Sequence, residues 1–252
     1  MRKPIITTES GRYFLTDRIR EEVNFHCTRQ SAGLDPPPPQ KPAQPGSRII
    51  PLPSRHEWSA GTCDLQTAIA HRESHRRFTD EQLSLEELAF LLWATQGIRT
   101  VLHEAAVLRT VPSAGCRHPF ETYLGVLRVA GLEPGLYRYL PLDHALAHER
   151  VVPGLSASLT AACRGQAFAG QAAVTFIWTA VIARTEWRYA EASYKVIALD
   201  AGHVCQNLYL ACEALGCGTC AIAAYNQSLA DELVAVDGNE EFTVYIAPVG
   251  KV

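Results

Sequence analysis

The sequence lacks an excess of charge of either sign. Across 252 residues, Lys and Arg number 23 against 26 Asp and Glu, a net charge of −3. A phosphate backbone needs clustered positive charge, so no nucleic-acid partner is expected. Long apolar runs are absent as well. The longest, residues 172–183, is interrupted by Thr175 and Thr179 and falls short of the roughly 20 residues of a membrane span, so no membrane role is expected. No apolar stretch of signal-peptide type opens the chain, which gives a cytoplasmic expectation. There is no Gly-x-Ser-x-Gly elbow, Walker loop or Gly-x-Gly-x-x-Gly fingerprint, and no internal repeat.

Cysteine is present but unorganised. Cys27, Cys63, Cys116, Cys163, Cys205, Cys212, Cys217 and Cys220 are spread along the chain, and reduced thiols are expected rather than a disulfide framework. Cys217-x-x-Cys220 follows a helical pattern, whereas a reactive pair sits before a helix, whose N-terminus lowers the thiol pKa. Without a second pair it is also a weak zinc site, and no metal is expected. His118, His144 and His148 show no ligand spacing. Asp200-x-x-His203 lies inside a helical pattern and reads as a buried polar contact.

What is there divides the chain at about residue 53. Residues 34–53 carry Pro36 to Pro39, then Pro42, Pro45, Pro51 and Pro53. Proline lacks an N–H and fixes φ, so residues 1–53 read as an N-terminal arm whose proline-rich part runs extended over a surface. Residues 10–28 read as a short helix. A compact domain is expected over 54–252. Leu65, Ala68 and Ile69 give a helical stripe, and Ser84-Leu85-Glu86-Glu87 is a capping box opening a helix that Gly97 ends. Strands are expected at 123–129, 136–139, 173–182 and 241–248, with helices at 156–169 and 189–215. Strands and helices interleave without a strict βαβ repeat, so the fold class is α+β.

Three clusters carry chemistry. Arg72, Ser74, Arg76 and Arg77 lie within a few residues, and guanidinium forks with a hydroxyl match phosphate oxygens. Pro112-Ser113-Ala114-Gly115 forms a tight loop of small residues whose backbone can approach a flat ligand. Leu215-Gly216-Cys217-Gly218-Thr219-Cys220 offers further points of close backbone approach. Taken singly, they also read as a solvated charged loop, a turn and a helix end.

In this order the clusters resemble the nitroreductase family of flavin enzymes and, within it, the SagB-type dehydrogenases. Further motifs agree: the helix end Leu91 to Gly97, His118-Pro119-Phe120-Glu121, the hairpin Gly131 to Tyr139, the helix Leu199 to Leu208, and Phe25-His26 near the N-terminus. The likeness runs from Phe25 to Lys251.

The resemblance implies an FMN-binding α+β homodimer, with a central mixed, mainly antiparallel sheet flanked by helices and the flavin at the subunit interface. It implies that Arg72, Ser74 and Arg76 hold the phosphate and ribityl chain, with Lys251 near the phosphate. Pro112, Ser113, Ala114 and Gly115 would pack on the isoalloxazine from the partner, and Gly216, Gly218, Thr219 and Cys220 would approach its N5 edge. Tyr189 stands where azoline-oxidising relatives carry a catalytic tyrosine, and Arg188 replaces their lysine. Glu73 replaces a basic residue, Ala192 replaces an arginine, and the sequence given stops soon after Lys251, without the C-terminal arm of many relatives.

Arginine is a poor general base, but a neighbouring cation lowers the ordinary phenol pKa of about 10. Adjacent helical residues do not face each other, so Arg188 can serve Tyr189 only from a loop or first-turn geometry. The expected activity is FMN-dependent dehydrogenation of a C–N or C–C bond in a peptide-like or natural-product intermediate, with azoline oxidation as the leading example and other biosynthetic enzymes as possible partners. The rivals are an NAD(P)H-dependent nitro or quinone reductase and a non-catalytic flavin-fold scaffold.

Overall fold

A computed structural model describes residues 7–103 and 106–252. Residues 1–6 of the expected arm lie outside the described residues. In chain order the helices are α1 (Thr8–Leu15), α2 (Ile19–Glu22), α3 (Leu65–His71), α4 (Leu85–Gln96), α5 (Leu155–Ala162), α6 (Phe168–Gln171), α7 (Ala183–Tyr189), α8 (Ser193–Glu213) and α9 (Gln227–Val234). The strands are β1 (Ile49–Pro51), β2 (Ile98–His103), β3 (Ala106–Arg109), β4 (Phe120–Val126), β5 (Gly135–Leu140), β6 (Ala145–Arg150), β7 (Val174–Val181), β8 (Cys217–Thr219) and β9 (Glu241–Lys251).

Seven strands form one sheet in the order β1-β6-β5-β4-β7-β9-β8, and β2 pairs with β3 apart from it. Every ladder is antiparallel, and the parallel contribution is confined to single bridges at Ser74–Thr219 and Leu83–Val129. Side chains alternate between the two faces with the strand period of two. Phe120, Leu124, Phe176, Trp178, Ala247 and Val249 enter a core with α4 and α8. Tyr123, Leu136, Ile177 and Ile246 enter a second core with α5 and α9. The sheet therefore lies between two helical layers. Helix α8 contributes Ile197, Ala201, Val204, Leu208 and Ala211, one stripe at i, i+4, i+7 spacing, and so spans the domain beneath the sheet.

The capping box at Ser84 and the stop at Gly97 form as expected. Three helices differ from expectation. The single helix over 10–28 is instead α1, α2 and a 3₁₀ turn at Phe25–Cys27, because extended Thr16 turns its hydroxyl back onto Tyr13 O and ends α1. The helix over 156–169 is split into α5 and α6 by Arg164 and Gly165, both at positive φ. The pattern over 189–215 starts inside α7 and breaks at Ala190, so α8 begins at Ser193.

The proline-rich segment lies on the same face of β4 and β5 as the α5–α9 core, where Glu121 and Arg138 stand two residues along from Tyr123 and Leu136. Buried arginines meet its carbonyls. Arg184 Nε donates to Pro38 O (2.8 Å) and Arg109 to Pro39 O (2.7 Å). Arg138 donates to Lys41 O (2.9 Å) and Pro42 O (2.8 Å). Arg138 also pairs with Glu121 (3.2 Å) and Glu149 (2.9 Å), and Arg184 pairs with Glu121. Lys41 N–H donates to Glu121 (2.9 Å), and its ammonium pairs with Glu241. The segment then feeds β1, which pairs with β6 at the sheet edge.

Candidate active site

Chemistry-bearing residues collect at two places along α8. The first is the corner between α3 and β8. Asp64 caps α3 by accepting from Thr67 N–H (2.9 Å), and the chain leaves the helix at Arg72. It then runs beside β8: His75 N–H donates to Thr219 O (2.9 Å), and Thr79 N–H donates to Lys251 O (2.9 Å). A Cβ on Gly218 would stand 2.5 Å from both His75 Cβ and Val252, so this glycine lets the loop lie flat on the strand. Tyr209 on α8 ties the corner together. Its hydroxyl bonds Ser74 Oγ (3.0 Å) and accepts from Ala221 N–H (2.9 Å), and the Arg72 guanidinium stacks 5.3 Å from its ring. Arg76 is exposed and has no hydrogen bond or ion pair among the described residues.

The structure thus brings Arg72 and Ser74 together with Gly218, Thr219 and Tyr209, while Arg76 extends from the same loop. Gly216 precedes β8 at φ +59°, and Cys220 is buried just beyond it. Lys251 is engaged elsewhere, with its ammonium on Glu87 and Leu215 O (3.0 Å). Burial opposes that charge, but the hydrogen bond and charge of Glu87 outweigh it and raise the lysine pKa. Burial pushes the Cys217 thiol up to about 12, so Cys217 supplies no ready thiolate. No cluster suited to a metal occurs among the described residues.

The second place is the loop after β3. Asp200 on α8 is buried, and both its carboxylate oxygens lie 3.2 Å from Ala114 N. Burial raises its pKa against the opposing hydrogen bonds from Ser113 and Ala114. Its contact with His203 is a loose 3.9 Å. The expected pair is therefore not a buried contact, since His203 is exposed; the buried partner of Asp200 is the Pro112 to Gly115 loop. Ser113 Oγ accepts from His118 N–H (2.9 Å). His118 is buried, and burial, then Arg109 and Arg117, lower its pKa to about 3, so it is neutral.

Gly115 faces Tyr189 and Arg188. A Cβ there would stand 2.7 Å from the Tyr189 hydroxyl and 2.9 Å from Arg188 Nε, and φ is +56°, so a side chain would be strained and would push both groups aside. The expected loop or first-turn geometry is not what brings Arg188 to Tyr189. Both residues occupy the last turn of α7, where the helix ends and leaves side chains free to fold back. The Arg188 guanidinium lies 5.7 Å from the Tyr189 ring centroid, and Arg20 from α2 lies 5.5 Å from it. The helix ends at Ala190 with φ +45° and ψ −130°, a conformation natural only to glycine. Arg20 and Tyr209 were not singled out in the sequence, and Glu87 was read only as part of the capping box. Tyr209 had one signal, lying in the helix that runs to the glycine-rich corner; Arg20 had none.

Asp200 and Tyr209, the two anchors on α8, are nine residues apart, or about 13–14 Å along the axis. Within the chain the two places are separate. The exposed face of α8 includes Tyr194, Leu199, Gly202 and His203. It borders a cleft of about 490 Å³ shared with Phe242, Val244 and Tyr245.

A family model described as nitroreductase family matches residues 69–251. A Methanocaldococcus jannaschii protein assigned to the nitroreductases (MJ1384) is 30% identical over 195 residues, 74% of this chain and 90% of that protein. The trifolitoxin-processing protein TfxB of Rhizobium leguminosarum bv. trifolii is 32% identical over 168 residues, 62% of this chain but 44% of that protein. Among solved structures, one from Ralstonia eutropha JMP134, also assigned to the nitroreductases, superposes with a TM-score of 0.67 at 26% identity. The match covers 87% of this chain and 95% of that one.

Proposed function

Because the chain belongs to the nitroreductase family, we propose that it is an FMN-dependent dehydrogenase of SagB type, acting on a C–N or C–C bond of a peptide-like intermediate such as an azoline. The observation that carries this reading is the Tyr189 hydroxyl, held with Arg188 against side-chain-free Gly115. The relative that processes trifolitoxin supports a peptide-like substrate and a place among other biosynthetic enzymes.

The residues present fit the cofactor. Arg72 and Arg76 carry no carboxylate partner among the described residues, Ser74 adds a hydroxyl, and the corner offers an anion both charge and donors. Bound there, FMN would supply the two-electron redox chemistry. The chain's own residues position and manage protons. Tyr189 Oη, acting as the phenolate, takes the proton from the substrate atom next to the C–H bond being oxidised and becomes the neutral phenol, while the hydrogen and electron pair of that C–H bond are what FMN would accept. The Arg188 guanidinium, 5.7 Å from the ring centroid, places a positive charge beside the phenolate oxygen before the proton moves. Asp200 holds the 112–115 loop at the height of Tyr189 through Ala114 N–H. A second copy of the chain, seated on the exposed face of α8, would bring the 112–115 loop of one protomer toward the arginine corner of the other. That homodimer joins two places that are separate in one chain.

Tyr189→Phe tests the reading. Flavin reduction by substrate should slow by about 10²–10⁴-fold in a single turnover, with FMN still bound. A wild-type rate would remove Tyr189 from proton handling. The likeness to the M. jannaschii protein favours a second reading, NAD(P)H-dependent reduction of nitro compounds or quinones. Steady ping-pong turnover with NAD(P)H would select it.

A further inference from the structure

We propose that Arg117 and Arg188 form an oxyanion subsite beside the Tyr189 hydroxyl, which takes a carboxylate carried by the peptide-like substrate. This deepens the proposed function by naming what the substrate must present near the bond being oxidised.

Arg117 is a built feature rather than a loose surface charge. Its Nε donates to Gly115 O (3.0 Å), and its guanidinium lies 4.8 Å from the centroid of the Trp187 ring. One edge and one face are thereby fixed, and the terminal nitrogens have no acceptor among the described residues. Arg188 approaches the same glycine, with Cδ and Nε 2.8 and 2.9 Å from the position of a Cβ on Gly115. It has no hydrogen bond or ion pair among the described residues.

The two cations are close enough to disfavour one another. Burial, and then Arg188, lower the Arg117 pKa. Like charges held together cost free energy unless an anion lies between them. No carboxylate pairs with either guanidinium among the described residues, and several nearby are engaged elsewhere. Asp17 pairs with Arg20 (3.0 Å) and lies 3.9 Å from Lys195. Glu186 accepts from Tyr194 Oη (2.8 Å), and Asp200 accepts from Ala114 N–H. The buried arginines 109, 138 and 184 differ, since each donates to a backbone carbonyl of the proline segment.

Three sources could supply the oxyanion: the flavin phosphate, the phosphate of a nicotinamide dinucleotide, or a substrate carboxylate. The flavin phosphate already has the Arg72 and Arg76 corner, about 13–14 Å away along α8 in the same protomer. Planar guanidinium forks match a planar carboxylate bidentately, and a peptide carries such groups on acidic side chains and at its C-terminus.

The test uses the full chain and titrates glutarate, its uncharged diamide and inorganic phosphate, with and without saturating FMN. Affinity is read by calorimetry or by NMR shifts. Glutarate should bind at least about tenfold more tightly than the diamide, the least expected for hydrogen bonds to a charged group. Arg117→Gln should abolish that preference, and Arg117→Lys should restore part of it, keeping charge but not the fork. If Arg117→Gln fails to fold, exposed Arg188→Gln reads the same loss. Equal binding of the diamide, or an unchanged preference in the Gln variants, would overturn the proposal. Displacement of glutarate by FMN would assign the pair to the cofactor, and phosphate outcompeting glutarate would assign it to a dinucleotide; either result overturns it. Binding is read without turnover. A chain that holds glutarate but never takes up FMN would therefore sink the proposed function and leave the subsite standing.

Discussion

Arginines do opposite work in two parts of this molecule. Against the proline-rich segment, Arg138 and Arg184 are almost fully buried, at 2% exposure each, and their donors meet carbonyls and carboxylates. At the α3–β8 corner and beside Tyr189, Arg72, Arg76, Arg117 and Arg188 lie nearer the surface and keep donors unused. The first arrangement follows from the chemistry of proline. A proline-rich strand presents carbonyl acceptors and few N–H donors, and arginine is the side chain with five donors and no acceptor. A backbone donor of the segment, Lys41 N–H, meets Glu121. The donors of Arg138 and Arg184 are spent on structure, whereas those of the open set are free for the ligands proposed above.

The comparison breaks first if the buried set is dispensable. Arg138→Leu leaves Glu121 and Glu149 without a shared cation and the Lys41 and Pro42 carbonyls without a donor. It should cost about 3–5 kcal/mol, the range for removing one member of a buried ion pair, read from urea unfolding. A loss below about 1 kcal/mol would mean the segment is not held this way.

Acid gives a second separation, because buried His118 and Glu121 titrate with folding. The folded-state pKa of His118 is depressed to about 3. Its contribution is therefore complete above the unfolded value near 6.5 and lost progressively as pH falls toward 3, by at most about 1.4 kcal/mol per pH unit. For Glu121, burial alone raises the pKa. Arg184, Arg138 and the hydrogen bonds outweigh it and hold the carboxyl low, so its contribution is lost only in more acidic solution. Thermal melts of His118→Gln should show a flatter decline than the parent between pH 6 and 4. Parallel curves would contradict burial of a neutral imidazole.

The smallest expected effect sharpens the boundary between α7 and α8. Ala190 holds a glycine-type backbone conformation, so Ala190→Gly should relieve strain by about 1–2 kcal/mol, seen as a raised melting temperature. A lowered one would show that the backbone is not strained there.

Legibility in the sequence followed the range of the forces involved. The Ser84 cap and Gly97 stop are local, and both were readable. So was β7, whose apolar run is buried along almost its whole length. The break at Ala190 was not, since alanine signals helix and only the fold imposes its φ. The arginine network was equally hidden, because Arg184 and Pro38 lie 146 residues apart and no pattern in one stretch announces their bond. Edge strands β1 and β8 have three residues each, too few for periodicity to show. In the site, motif order alone pointed to Arg72, Gly115 and Tyr189. The pairing of Gly115 with Tyr189, and of Ser74 with Tyr209, needed the folded chain.

The central claim is that the open arginines bind a ligand while the buried ones hold the fold. The most direct measurement is an FMN titration of Arg76→Ala beside its unfolding curve. Affinity should fall by the equivalent of about 1.5–3 kcal/mol, the range for a hydrogen bond to a charged group. Stability without FMN should stay within about 0.5 kcal/mol, as for an ordinary surface change. Unchanged FMN affinity together with a destabilised chain would contradict the claim.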